Sequence, residues 1–168
     1  MRGEIHMAKE KISFEQFFET VEEGNKLFIH DLQNYLLESG CKVAFEEKKS
    51  GYLASYKFGK PPKALLNFVF RKTGMLARIY GEQSGSYQDF LISLPTEMIK
   101  SIEKAGDCRR LTENACNPKC VGYDFKIGDK HFQKCRYSCF EFLITDESMP
   151  FIKAFIEREL SERTPVLS

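Results

Sequence analysis

Apolar positions recur at two spacings along this chain, and the spacings divide it into helices and strands. Phe14, Phe17, Phe18 and Val21 return every three or four residues, the period of one helix face. Ser13-Phe14-Glu15-Gln16 matches a capping box, in which the serine and glutamine side chains satisfy each other's backbone N–H groups. Gly24 is expected to stop this helix. Asn25 is expected to cap a second one that runs to about Gly40 with Leu27, Phe28, Asp31, Leu32, Tyr35 and Leu36 along its stripe. From residue 42 the period falls to two. Strands are expected over 42–47, 52–58, 64–72, 75–80 and 87–93, with Thr73-Gly74 as a two-residue hairpin loop. Leu94-Pro95-Thr96 opens a helix that Gly106 terminates. Residues 107–121 read as irregular. Residues 122–127 form a strand, Gly128-Asp129 a turn, and 130–144 one long strand. Asp146 then caps a last helix, with Pro150 in its first turn and Phe151, Ile152, Phe155 and Ile156 facing the core.

Strand runs joined by short turns, with helices before, between and after, predict an α+β fold. The expected architecture is one domain over 13–162: an antiparallel sheet of about five to seven strands, N-terminal helices, one central helix and a C-terminal helix. Residues 1–12 are expected to be leader or disordered, with Met7 as an alternative start, and 163–168 a frayed tail. The chain's 168 residues suffice for a sizeable core. No apolar run approaches the roughly 20 residues that span a bilayer, and the first residues lack a signal peptide's apolar stretch. A cytoplasmic location follows as the expectation, and with it reduced thiols.

A net charge of +1 implies no bulk attraction to nucleic acid, but the charge is uneven. Between residues 49 and 80 lie seven Lys or Arg and no acid, whereas the first 48 residues hold ten acids and six bases. With Thr73-Gly74 as the loop, Phe70 faces Ala77 and Arg71 faces Leu76. Leu66, Phe68, Phe70, Met75, Ala77 and Ile79 then share an apolar face. Asn67, Arg71, Arg78 and Tyr80 share the other, with the two arginines diagonal neighbours. Such a set is a candidate site for a small anionic ligand, phosphate or carboxylate. The plainer reading is a solvated sheet face. Single-stranded RNA stacking is a third reading, weakened because most aromatics fall on the core side.

The densest chemistry is a run of thiols: Cys108-x7-Cys116-x3-Cys120-x14-Cys135-x3-Cys139, five of the chain's six cysteines. In a reducing compartment such clustering points to metal or redox chemistry before disulfides. Zinc takes four thiolates in a tetrahedron with Zn–S near ~2.3 Å, and the Cys-x3-Cys pairs fall within usual ligand spacing. Asn117-Pro118 turns the chain between Cys116 and Cys120. If 130–144 is one strand, Cys135 and Cys139 stand roughly 13 Å apart at ~3.3 Å per residue, too far for one ion. The expected ligands are therefore Cys108, Cys116, Cys120 and Cys135, with Cys139 packed among phenylalanines and Cys41 a buried small hydrophobe. His131 is a candidate substitute ligand. Arg109, Arg110, Lys119, Lys134 and Arg136 flank the thiols, which keeps a thiol redox switch or metal sensor as an alternative. Compact ferredoxin spacings, GxSxG and P-loops are absent from the sequence.

The run Asn67-Phe68-Val69-Phe70-Arg71-Lys72-Thr73-Gly74-Met75-Leu76-Ala77-Arg78-Ile79-Tyr80-Gly81-Glu82, followed by an expected strand, a helix, a late hairpin and a closing helix, resembles small uncharacterised bacterial domains of the YdhG/YdeI-like type. The resemblance covers residues 26–159. It implies a one-domain α+β fold and brings no established activity; the cysteines are not part of its pattern. The expected function is thus a binding domain without catalytic machinery, stabilised by four-cysteine zinc and receiving an anion on its basic face. The alternatives are the thiol switch and an RNA-binding accessory domain.

Overall fold

The structure, a computed structural model, describes residues 11–164. Its order is α1 (Phe14–Glu19), α2 (Glu23–Glu38), β1 (Lys42–Lys48), β2 (Gly51–Phe58), β3 (Lys63–Arg71) and β4 (Gly74–Ile79). A 3-10 turn at Ser84–Ser86 follows, then α3 (Gln88–Leu91), α4 (Thr96–Lys104), α5 (Arg109–Glu113), β5 (Tyr123–Ile127), β6 (Lys130–Lys134), β7 (Glu141–Leu143) and α6 (Met149–Arg163). The main sheet is antiparallel throughout, in the order β1-β2-β3-β4-β7, and β5-β6 is a separate hairpin. The fold is α+β, as the spacing predicts.

The capping box at Ser13 and Gln16 is formed in both directions. Gly24 and Asn25 do not punctuate the helices. The chain turns earlier, at Thr20, whose hydroxyl and N–H both donate to the Phe17 carbonyl. Gly24 and Asn25 lie in the first turn of α2, where Asn25 is buried.

Three strand expectations are corrected. Residues 87–93 form a turn and α3, because Tyr87, Leu91 and Leu94 recur at helical spacing and all three are buried. The β3–β4 loop is Lys72-Thr73, so Phe70 lies opposite Met75, Asn67 opposite Arg78 and Arg71 opposite Gly74. Gly74 takes φ of +129°, a conformation that glycine alone adopts without strain. The expected apolar face survives this shift, since Leu66, Phe68, Met75, Ala77 and Ile79 are all buried. Finally, 130–144 is not one strand. β6 ends at Lys134, residues 135–140 turn, and β7 joins the main sheet beside β4. Phe140, Phe142 and Ile144 still share the core side. Residues 107–121, expected to be irregular, include the short α5.

One core lies between the sheet and the helices. Phe17 contacts Phe45 and Phe68 at one end, while Phe155 of α6 meets Phe140 at 4.9 Å between ring centroids and Phe142 at 6.2 Å. Ser148, not Asp146, caps this helix; it exchanges hydrogen bonds with Thr145 and its hydroxyl donates to the Leu143 carbonyl at 2.7 Å. Ser101 of α4 donates to the Glu141 carbonyl at 3.2 Å. The two outward carbonyls of edge strand β7 are thus occupied, one way to blunt a sheet edge.

Arg163, placed by the sequence reading in a frayed tail, is the last residue of α6 and is firmly held. Its Nε donates to the fully buried Glu159 at 2.6 Å, and its Nη2 donates to the carbonyls of Ala64 and Tyr80 at 2.9 and 2.8 Å. Tyr87 donates its hydroxyl to the same Glu159, and the Gln83 N–H donates at 3.1 Å. The expected leader lies almost wholly outside the described residues, as do positions 165–168.

Two stability predictions follow from this packing. Phe142→Ala is expected to cost roughly 3–5 kcal/mol in urea unfolding, the range for truncating a buried phenylalanine. Arg163→Met leaves Glu159 buried without its cation and is expected to cost about 3–5 kcal/mol. A loss below 1 kcal/mol, roughly the value of an exposed ion pair, would remove the network from the essential contacts.

Candidate functional site

Cys108, Cys135 and Cys139 lie where the end of α4, the β5–β6 hairpin and the approach to β7 meet, and the loop that carries Cys116 and Cys120 ends against Cys108. Residues 106–108 run antiparallel to 133–135. Cys108 N–H donates to the Gln133 carbonyl and Cys135 N–H to the Gly106 carbonyl, both at 2.8 Å, around an Asp107–Lys134 bridge. Cys108 lies opposite Gln133 and Gly106 opposite Cys135, so both thiols emerge on one face as diagonal neighbours. Such neighbours sit roughly 7–8 Å apart. Lys134 fixes this ladder from below: its buried ammonium donates to the carbonyls of Glu103 and Ala105 and pairs with Asp107 at 3.1 Å.

Cys108 also packs against the far end of the loop. A β-carbon on Gly122 would stand 2.2 Å from the Cys108 sulfur, so only glycine fits there. Cys120 is two residues away, its carbonyl held by Arg110 Nε at 2.5 Å. Asn117 to Cys120 is a tight turn closed by the Cys120 N–H on the Asn117 carbonyl at 3.0 Å, as the Asn-Pro pair predicts. Cys116 is exposed at φ of +75°. All six cysteines are free, and among the described residues no group of three or more His, Cys, Asp or Glu side chains stands close enough to hold a metal ion.

Cys135 and Cys139 are joined by a single turn, the Cys139 N–H donating to the Cys135 carbonyl at 2.9 Å. The extended-strand separation expected from sequence therefore does not apply. What sets Cys139 apart is burial: it is fully enclosed, and that burial holds its thiol well above the usual range despite the nearby Lys134 ammonium. Cys41 is buried as expected, its thiol pushed up to about 11 by desolvation. His131 pairs with Asp124 across the hairpin rather than turning toward the thiols. Of the flanking cations, Arg109 pairs with Glu113, Arg136 with Glu82, and Arg110 and Lys134 are taken up by carbonyls.

The basic face is partly assembled. Asn67 donates to the Tyr80 hydroxyl at 3.1 Å, and Arg78 is on the neighbouring strand directly opposite Asn67. Arg71 is not beside Arg78: the true register puts it at the hairpin end, exposed. Arg78 is committed to Glu141, with Nε and Nη2 both at 2.7 Å. That partner was invisible in sequence because the β4–β7 pairing joins distant segments.

The sequence reading also missed the side chains that the cysteine turn lays on this face. Arg136, which flanks the thiols in sequence, does not turn toward them. Its guanidinium instead lies 5.3 Å from the Tyr80 ring centroid and 5.6 Å from that of Tyr137, and donates to Glu82 at 3.1 Å. Arg136 Nε and the Tyr123 hydroxyl are the described residues' two buried side-chain polar atoms with no partner. A separate cleft between α4 and β7, lined by Met98, Ser101, Phe142, Leu143 and Ser148, has no basic side chain and offers nothing to an anion.

No family model, curated protein or solved structure matches this chain.

Thiol labelling of the native, metal-free protein should reach Cys116 first and leave Cys41 and Cys139 unmodified until denaturant is added. Mass spectrometry of iodoacetamide-treated protein checks this order. Gly122→Ala should force the loop off Cys108 and bring Cys108 into the early-reacting set.

Proposed function

We propose that this chain is a binding domain without catalytic machinery whose cysteine corner holds one zinc ion through Cys108, Cys116, Cys120 and Cys135. One observation carries the reading: from Thr112 to Gly122 no residue is buried, yet this stretch holds two thiols and ends against a third. Its backbone makes only local turns, and its side-chain ties to the rest of the loop are Arg110 on the Cys120 carbonyl and Thr112 on the Cys108 carbonyl. An irregular segment of this length inside a compact domain is normally tethered or functional. Thiolate ligation supplies a tether that apolar burial does not, with Cys108 and Cys135 as the fixed half and Cys116 and Cys120 as the half that closes. All four thiols lose their protons on binding, so affinity falls as pH is lowered.

The thiol-switch reading uses Cys116, Cys120 and Cys139, and the enclosure of Cys139 counts against it. The RNA reading needs stacking platforms, and Tyr137 is the one exposed Phe or Tyr among the described residues. An anion on the sheet meets an Arg78 already neutralised by Glu141.

Elemental analysis of protein expressed with added zinc is expected to find one ion per chain. Cys120→Ser should lose the ion and melt at lower temperature, whereas Cys139→Ala should retain it. Structural zinc contributes roughly 10–16 kcal/mol in small peptides; this domain has its own core and should lose less. A metal-free wild type whose melting is unchanged by Cys116→Ser and Cys120→Ser refutes the reading. Loss of metal from Cys139→Ala refutes the ligand choice.

A further inference from the structure

The two edges of the main sheet are treated differently. β7 is three residues long, with its outward carbonyls bonded to Ser101 and Ser148. β1 is seven residues long and contains no proline. Its pairing with β2 has no bulge. Among the described residues, no group bonds to its outer backbone edge.

Which groups face outward follows from the hairpin. Lys48 and Gly51 flank the two-residue β1–β2 loop and form a hydrogen-bonded pair. Bonded and non-bonded pairs alternate from there. Residues 42, 44, 46 and 48 therefore bond to β2, and the N–H and C=O groups of Val43, Phe45 and Glu47 point out. Side chains alternate as well. Val43 and Phe45 are half-buried on the core side, where Phe45 packs on Phe14 and Phe17. Lys42, Ala44 and Glu46 are exposed on the opposite side.

We propose that β1 pairs antiparallel with β1 of a second copy about a two-fold axis through Ala44, joining the two main sheets into one. Outward-facing residues must meet outward-facing residues, which leaves three registers that keep five or more residues of β1 paired. Centring on Phe45 sets Lys42 against the partner's Lys48 and Val43 against the partner's Glu47. Centring on Glu46 sets Glu46 against the partner's Glu46 and Phe45 against the partner's Glu47. Centring on Ala44 alone pairs like with like in polarity and opposites in charge. Val43 meets the partner's Phe45 and Lys42 meets the partner's Glu46, each twice, and Ala44 meets its own copy once on the axis. Both Val43–Phe45 pairs exchange two backbone hydrogen bonds. The charged pairs fall at non-hydrogen-bonded positions, where facing side chains come closest. Glu46 now leans on Lys48 at 2.9 Å in an exposed contact that yields readily. Among the described residues Lys42 makes no ion pair.

Sedimentation velocity over a wide concentration range tests this with the full chain. The wild type should shift from the 19.5 kDa of one chain toward twice that mass. Lys42→Glu and Glu46→Lys should each be monomeric, because each sets like charges face to face, with circular dichroism and melting as controls for folding. The double variant should dimerise again, and an equimolar mixture of the two single variants should form heterodimers. A wild type that stays monomeric throughout overturns the proposal. So does a dimer that both single reversals leave intact, since its interface would lie elsewhere.

Discussion

Three residues of β7 on the flank of β4 join the two halves of this molecule. Leu76, Ala77 and Arg78 pair with Leu143, Phe142 and Glu141. The first four strands are a meander that needs only local turns. Everything after residue 80 reaches the main sheet by the β7 contact and the packing around it. The contact forces the chain to leave β6 at Lys134 and turn back. That turn encloses Cys139 and lays Arg136 on Tyr80. It also supplies the carboxylate that neutralises Arg78. The enclosure of Cys139 and the polar face of the sheet are therefore two results of one strand pairing.

The Glu159–Arg163 pair secures the other side of the same junction. Arg163 reaches from the last turn of α6 to carbonyls at the start of β3 and just past the end of β4. A buried ion pair is weak evidence for stability when its groups are left with spare valences, since desolvation offsets attraction. Here the carboxylate accepts from Arg163, Tyr87 and the Gln83 backbone, and the guanidinium spreads over three carbonyls. Burial, more than the adjacent carboxylate, drives the Tyr87 hydroxyl far above its ordinary range, so it acts as a permanent donor.

Local patterns were legible in the sequence. The Ser13 capping box, four successive strands and the apolar face of β3 and β4 all follow from periods of two and 3.6. The errors share a cause. Residues 87–93 and 130–144 carry alternating or mixed apolar patterns that suit a strand, but burial there is decided by partners far along the chain. Phe140, Phe142 and Ile144 alternate whether or not the strand is broken at residue 135, so periodicity could not reveal the break. The hairpin register slipped for a local reason: a glycine next to a threonine marks a turn without saying on which side of the loop it falls. Glu141, Glu82 and Tyr137 were missed as partners because no spacing rule connects them to Arg78, Arg136 or Tyr80.

The order of assembly gives the cysteine corner a further property. Closing a short hairpin costs little chain entropy, and closing a long span costs more. The β1–β4 meander is the cheap part. The ladder that sets Cys108 and Cys135 on one face is not, because it also needs Lys134 seated under the carbonyls at the end of α4. Without that seating Cys108 and Cys135 have no common face. The corner is thus set by contacts within the second half of the chain, between the end of α4 and β6, and its ladder does not run through the meander.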